Sequence, residues 1–290
     1  MARFDFAAGD APENITVNPD GSLTLSMLGA SANKPPKLMR ITSSGHRTTL
    51  ADGHQGDQIT GNTRGSDGTV YYNVQSEDAS RAGVWKLPPH GHPQRLAALP
   101  ADGLPNGLAI DPADRTLYAA DSLKGTVWAV PVSGGPATAW LTGPTLAPDP
   151  DASLKLGANG LRFHNGAVWV TNFNQGTLLR IPVTAHGAPG RVHTVTGDLT
   201  DADDFSFLND CSDIVFAAQN DPTDRITVVH PNGTTQTVLT AHDGLASPTA
   251  TAVRAKQLYV TNAGLNPPHE AKLQRGTINL DALTARTRHH

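Results

Sequence analysis

Oxygen-bearing side chains open each of six similar stretches of this chain. In chain order they are Glu13, Asp57, Asn106, Asn159, Asp204 and Thr249. Carboxylate and amide oxygens are hard ligands, which suit calcium, magnesium or manganese and suit copper or structural zinc poorly. A divalent cation bound among them could polarise a carbonyl and acidify a bound water, which is an economical route to hydrolysis of an ester or lactone. The residue types therefore indicate metal-assisted hydrolysis of a small molecule.

A second polar set recurs where the middle part of most of these stretches ends. Its members are Asn73, Asp121, Asn172, Asn220 and Asn262. If the stretches are blades of a β-propeller, both sets reach one mouth of the central channel, because the innermost strand begins there and the loop after the second strand returns there. The sequence therefore predicts that polar side chains converge on one mouth from all six blades.

Roles can be assigned to these residues as hypotheses. Asp204, Asp121 and His54 are candidate catalytic residues, and Asp121 or His54 could move a proton. Substrate binding is expected of the remaining polar side chains, namely Asn106, Asp57, Asn73, Asn172, Asn220, Thr249 and Asn262. A purely structural explanation stays open, because Asn-Gly and Asp openings readily form turns with local backbone.

A repeat of about 43 to 53 residues underlies this spacing, within the range of propeller blades. The clearest copies begin at Asn106 and Asn159, each with the letters NGL, and each continues through two further β-rich runs. Most copies end in a fourth run with the alternation of a half-exposed edge strand. The repeat predicts an all-β fold, a six-bladed β-propeller with four-stranded antiparallel blades.

The sixth copy lacks its own outer strand. Its third strand is predicted over residues 276–280, close to the end of the chain, so Ala2 to Phe6 is expected to supply the missing strand and close the ring. Residues 1–290 then form a single propeller domain. The terminal His289-His290 pair is interpreted as the remnant of a purification tag.

Composition narrows the class of partner. The chain has 28 Gly, 22 Pro and 17% charged residues, which suits short strands and tight turns. A net charge of -4 without a basic cluster argues against nucleic acid. The absence of a long apolar run in the sequence argues against a membrane span. The single Cys211 excludes an internal disulfide. We expect a cytoplasmic protein with a small-molecule substrate, and no protein partner is evident.

Several motifs resemble the senescence marker protein and gluconolactonase-like propellers, within the clan that includes strictosidine synthase. The strongest match is residues 104–110, LPNGLAI, followed by 117–122, LYAADS. Residues 12–15, 159–161, 203–207 and 247–249 fit in the same order. The resemblance covers essentially the whole chain. It implies a divalent metal, often calcium, held by Glu13, Asn159 and Asp204, with Asn106 touching substrate or completing the metal site.

Two departures favour a different chemistry. Glu13 is followed by Asn14-Ile15 where the lactonases have Gly-Pro, and Asp203-Asp204-Phe205 replaces a Pro-Asp-Gly pattern. These variants resemble a microbial subgroup, common in fungi, that includes cyclising enzymes of specialised metabolism. The second hypothesis is therefore a cyclase, lyase or isomerase whose shaped pocket needs no metal. The third is a propeller that binds a ligand without catalysis.

Overall fold

A computed structural model describes residues 2–220 and 222–284. In this part of the chain, β1 (Ala2–Arg3) comes first and six four-stranded antiparallel sheets form. Blade 1 contains β2 (Pro12–Val17), β3 (Leu23–Met27), β4 (Lys37–Ile41) and β5 (Arg47–Asp52). Blade 2 contains β6 (Gln58–Arg64), β7 (Val70–Gln75), β8 (Gly83–Leu87) and β9 (Gln94–Ala98). Blade 3 contains β10 (Pro105–Ile110), β11 (Thr116–Asp121), β12 (Thr126–Pro131) and β13 (Thr138–Thr142).

The second half repeats this order. Blade 4 contains β14 (Ala158–His164), β15 (Ala167–Asn172), β16 (Thr177–Pro182) and β17 (His193–Thr196). Blade 5 contains β18 (Ala202–Asn209), β19 (Ser212–Gln219), β20 (Arg225–Val229) and β21 (Thr235–Thr240). Blade 6 contains β22 (Pro248–Arg254), β23 (Gln257–Asn262) and β24 (Lys272–Thr277), with β1 as its outer strand. The inner strands contact one another in ring order, and β22 returns to β2. The predicted six-bladed β-propeller is confirmed.

Helical structure is slight in the described residues. Three short 3-10 turns cover Phe6–Ala8, Ala30–Ala32 and Ala241–Asp243, and α1 covers Leu280–Thr284. No helix in the described ranges is long and apolar enough to cross a membrane.

The apolar core lies between neighbouring blades. Val127 of blade 3 packs in one cluster with Val168 and Leu179 of blade 4, and Leu25 of blade 1 shares another cluster with Leu273 of blade 6. Each blade is too thin to bury its apolar faces alone, so the faces are covered by the neighbouring blades. The ring must therefore close for the first and last blades to be buried.

The N-terminal strand closes that ring, as the sequence predicts. Ala2 pairs with Leu273 in antiparallel register, and the Phe4 amide donates to the Ala271 carbonyl at 2.9 Å. Two boundaries differ from the prediction. The closing strand ends at Arg3, and the third strand of this blade begins already at Lys272, while Leu280 begins α1. The His289-His290 prediction lies outside the described residues.

Glycines let the inner strands meet closely around the channel. A Cβ on Gly107 would lie 2.3 Å from the Leu161 nitrogen, and a Cβ on Gly160 would lie 2.6 Å from the Asp204 Cα. Gly107 lies in β10 and Gly160 lies in β14, each within a register shift of its strand against β11 or β15. The interpretation of the blade-opening pairs Asn106-Gly107 and Asn159-Gly160 as turns is therefore wrong, because both pairs lie in irregular inner strands packed against one another.

Candidate functional site

A cavity of about 300 Å³ occupies one mouth of the channel. It is lined by Glu13, Leu28, Gln58, Thr60, Leu104, Asn106, Leu154, Leu156, Asn159, Phe173, Asp203, Asn220, Leu265 and Asn266. The polar floor comes from the first residues of five inner strands, and the surrounding loops supply the remaining lining. A groove of about 600 Å³ between blades 1 and 2 contains none of the predicted site residues.

Two buried oxygens on this floor lack hydrogen-bond partners. Asn159 is 1% exposed and Asp203 is 5% exposed, and the Oδ1 atom of each accepts no hydrogen bond from the described residues. Asp203 Oδ2 accepts one hydrogen bond, from Asn220 Nδ2 at 3.1 Å. Buried polar atoms in proteins are nearly always paired, so these two oxygens leave positions beside the cavity that a water, an ion or a ligand can fill.

Burial shifts the acidity of the two carboxyl groups on the floor. Desolvation raises the pKa of Glu13 to about 7, and the charge of Asp204 adds to this effect. Desolvation also raises the pKa of Asp203 well above its usual value, and the nearby charge of Glu13 raises it further. Without a positive charge beside them, the two groups therefore resist ionising together near neutral pH.

Asp204 faces a different environment from its neighbour. Its Oδ2 atom pairs with Arg162 Nη2 at 2.6 Å and also accepts from Asn14 Nδ2, while its Oδ1 atom accepts from the Phe205 amide at 2.7 Å. Burial raises the pKa of Asp204, and the Arg162 charge opposes that rise. The carboxylate is already satisfied by these three groups and does not line the cavity.

Asp203 occupies the position that the sequence analysis gave to Asp204. In the strand register, Ala158 pairs with Asn172 and Ala202 pairs with Gln219, so the residue after each of them begins the cavity floor. Asp203 is thus the counterpart of Asn159. An alignment of residues 158–160, Ala-Asn-Gly, with residues 202–204, Ala-Asp-Asp, would have identified Asp203 from the sequence. The alignment of residues 203–205 with the Pro-Asp-Gly pattern of the lactonases places Asp204 there instead, one residue too late.

The floor suits a hard divalent cation. Glu13 and Asp203 offer carboxylate oxygens and Asn159 offers an unpaired amide oxygen, which is the ligand chemistry that calcium prefers. Among the described residues, no group of three or more His, Cys, Asp or Glu side chains gathers as a metal site. A cation here would therefore need amide oxygens in addition to the two carboxylates.

The predicted proton-transfer residues lie away from the floor. Asp121 is fully buried, and its Oδ1 accepts from the amides of Leu104 and Lys124, at 2.9 and 3.1 Å, so it fixes a loop. His54 is exposed and does not line the cavity. Asp57, which was predicted to bind substrate, does not line the cavity either, and it forms an ion pair with Arg81 Nε at 2.8 Å.

The six other predicted substrate-binding residues separate into two groups. Asn106 and Asn220 line the cavity. The other four are held by main-chain carbonyls instead, through the pairs Asn73 with Asn106, Asn172 with Thr145, Thr249 with Pro12 and Asn262 with Val260. These four stabilise neighbouring strands and loops. Gln58 and Thr60, which the sequence analysis did not single out, supply the polar contribution of blade 2 to the cavity.

Neither a family model nor a curated protein matches this chain. Solved structures match it well in fold and weakly in sequence. Regucalcin from Agrobacterium tumefaciens strain C58, a calcium-binding protein, has a TM-score of 0.67 at 16% identity over 95% of this chain and 92% of that chain. A protein provisionally assigned as a gluconolactonase has a TM-score of 0.67 at 14% identity, over 92% and 89%.

A lyase is also among the matching structures. Virginiamycin B lyase from Staphylococcus aureus has a TM-score of 0.63 at 12% identity, over 93% of this chain and 96% of that chain. All three match this six-bladed propeller over at least 89% of their own chains. At such low identity these matches show the fold alone, and they are consistent with a propeller enzyme.

Proposed function

We propose that this protein hydrolyses a lactone or related ester at the propeller mouth. In this proposal Glu13, Asn159 and Asp203 hold a divalent cation, with calcium preferred to magnesium or manganese. The observation that carries the proposal is the set of unpaired buried oxygens on the cavity floor. The calcium-binding and lactonase descriptions of two structural neighbours support it. The sequence-derived ligand set is thereby revised at one position, from Asp204 to Asp203.

Each residue on the floor has a distinct task in this proposal. A bound cation would supply Lewis-acid polarisation of the substrate carbonyl and a lower pKa for water at the site. Asn220 fixes the orientation of the Asp203 carboxylate through its 3.1 Å hydrogen bond. Asn106 lines the same cavity, and no hydrogen bond from its side chain to the described residues competes with substrate. We assign its amide to orienting the substrate carbonyl or ring oxygen.

Arg162 and Asn14 have a supporting task. Their contacts hold the Asp204 carboxylate away from the floor. The guanidinium also compensates the charge of Asp204, which otherwise raises the pKa of Glu13. This arrangement gives the Asp204 carboxylate its partners without using it as a ligand.

Calorimetric calcium titration of chelator-stripped protein at pH 8 tests the ligand assignment. Asp203→Asn should abolish saturable binding, because it removes one of two anionic ligands. Asp204→Asn is the matched variant in the neighbouring residue, and it should lower the thermal stability while calcium binding persists. The opposite pattern would return the ligand role to Asp204, and absence of binding by the unaltered protein would refute the metal site.

A lyase is the second candidate, since the raised pKa of Glu13 also suits a base that removes a carbon-bound proton near neutral pH. The reaction products separate the two candidates. Hydrolysis in ¹⁸O-labelled water places one solvent oxygen in the product acid, whereas elimination opens the ester without incorporating solvent oxygen. Labelled product would support the hydrolase, and unlabelled unsaturated product would support the lyase.

A further inference from the structure

An apolar collar surrounds the polar floor of the cavity. It consists of Leu28, Leu104, Leu154, Leu156, Phe173 and Leu265. Leu28 and Leu265 also pack against a small cluster near Ala11 and Ala263. The other four belong to none of the core clusters formed by the described residues. Phe173 is nevertheless buried, at 8% exposure, so it is Leu104, Leu154 and Leu156 whose apolar side chains core packing does not explain.

Leu154 is the clearest case. Its side chain is 58% exposed, and Leu123, at 45%, is the other large apolar side chain of comparable exposure in the described residues. Exposing a large aliphatic side chain forgoes the stabilisation that burial would give. At a cavity rim, that loss can be recovered when a ligand covers the side chain.

The loop that carries Leu154 is fixed by hydrogen bonds. Asn174 donates to the Leu154 carbonyl at 2.9 Å and accepts from the Leu156 amide at 2.8 Å. Asn172 donates to the carbonyls of Thr145 and Ala147 in the same connection. The backbone therefore presents both leucines to the cavity in a defined position.

The two layers of the cavity discriminate between kinds of ligand. The floor offers hydrogen-bonding oxygens and amides. The six collar side chains carry no polar atoms, and Asn266 lines the cavity beside Leu265. A hydroxyl group placed against the collar would lose its hydrogen bonds to water without replacement. An alkyl or aryl group at the same place would be removed from water and would strengthen binding.

We propose that the substrate is a lactone or ester that carries a short alkyl or aryl substituent, and that Leu104, Leu154 and Leu156 select it over polyhydroxylated lactones. The substrate class rests on the function proposed above. A volume of about 300 Å³ corresponds to about ten non-hydrogen atoms at the volume of a liquid water molecule. After a five-membered lactone ring, this leaves room for about four or five methylene groups.

Steady-state kinetics on γ-lactones with increasing alkyl chains, compared with glucono-δ-lactone, test this selectivity. The value of kcat/KM should rise about four-fold for each added methylene up to about five carbons, and glucono-δ-lactone should be the poorest substrate. Leu154→Ser should reduce the rise per methylene. Leu123→Ser, which alters an exposed leucine that does not line the cavity, should leave the rise unchanged.

A binding measurement separates this inference from the hydrolase proposal. Calorimetry with 5-alkyl-2-pyrrolidinones, which resemble the lactones and resist hydrolysis, should show the same chain-length dependence and the same weakening in Leu154→Ser. That result without any lactone turnover would support the ligand class and count against hydrolysis. The inference would be overturned if affinity and kcat/KM do not depend on the length of the alkyl chain, or if both are higher for the sugar lactone.

Discussion

The calcium affinity of this protein should rise with pH, because a proton and a cation compete for the Glu13 carboxylate. Burial raises the pKa of this group to about 7, and it raises the pKa of Asp203 in the same direction. Below that range the carboxyl group must release its proton before it can serve as a ligand. The perturbation to apply is therefore a change of pH from 6 to 8.

The magnitude follows from the pKa of Glu13. A group with a pKa of about 7 is roughly nine-tenths protonated at pH 6 and roughly one-tenth protonated at pH 8. The apparent dissociation constant for calcium should therefore fall about ten-fold across this interval, equivalent to about 1.4 kcal/mol. The shift of Asp203 adds to the same trend, so ten-fold is the smaller expected change.

The cation-free protein should show the converse behaviour in its stability. A carboxyl group whose pKa rises from 4.5 to about 7 on folding binds its proton more tightly in the folded state. The free energy of unfolding should therefore fall as the pH rises from 4.5 to 7, when no cation is present. Saturating calcium should reduce this loss, because it stabilises the ionised carboxylates.

Isothermal titration calorimetry in two buffers with different ionisation enthalpies measures both the affinity and the protons released. Close to one proton should leave Glu13 per calcium bound at pH 6. Glu13→Gln should abolish saturable calcium binding and the proton release with it, as Asp203→Asn should, because it also removes one of the two anionic ligands. Glu77→Gln, at an exposed position after β7, should leave the calcium affinity and its pH dependence unchanged. A dissociation constant that is the same at pH 6 and pH 8, with no proton release, would refute the reasoning.

Two further substitutions test the architecture around the site. Gly107→Ala should destabilise the fold by at least about 2 kcal/mol in chemical denaturation, because its Cβ would lie 2.3 Å from the Leu161 nitrogen. Gly197→Ala, which meets nothing within 4 Å, is its control, and equal effects would contradict the close-approach argument. Arg162→Met should cost about 3 to 5 kcal/mol by leaving Asp204 buried without its counter-charge. Combining it with Asp204→Asn should recover part of that loss, and strictly additive effects would disprove the pairing.

Much of the fold could be predicted because propeller blades are local units. Each inner strand and its neighbours lie within one repeat, so turn residues and alternating apolar residues mark them in the sequence. The N-terminal closure was also accessible, since the sixth repeat lacked an outer strand. The limits of β24 were less accessible, because the Pro-rich segment before Lys272 does not show where pairing with Asn262 begins.

The sequence by itself determined that Glu13, Asn106 and Asn159 share one mouth, because they open corresponding strands of a closed ring. Tertiary structure alone decided between the adjacent residues Asp203 and Asp204. Successive residues of a strand face different surroundings, so a shift of one position moves a carboxylate from the cavity floor to a partner inside the channel. That partner, Arg162, lies on another blade, and no local pattern could reveal a pairing that exists only once the blades pack together.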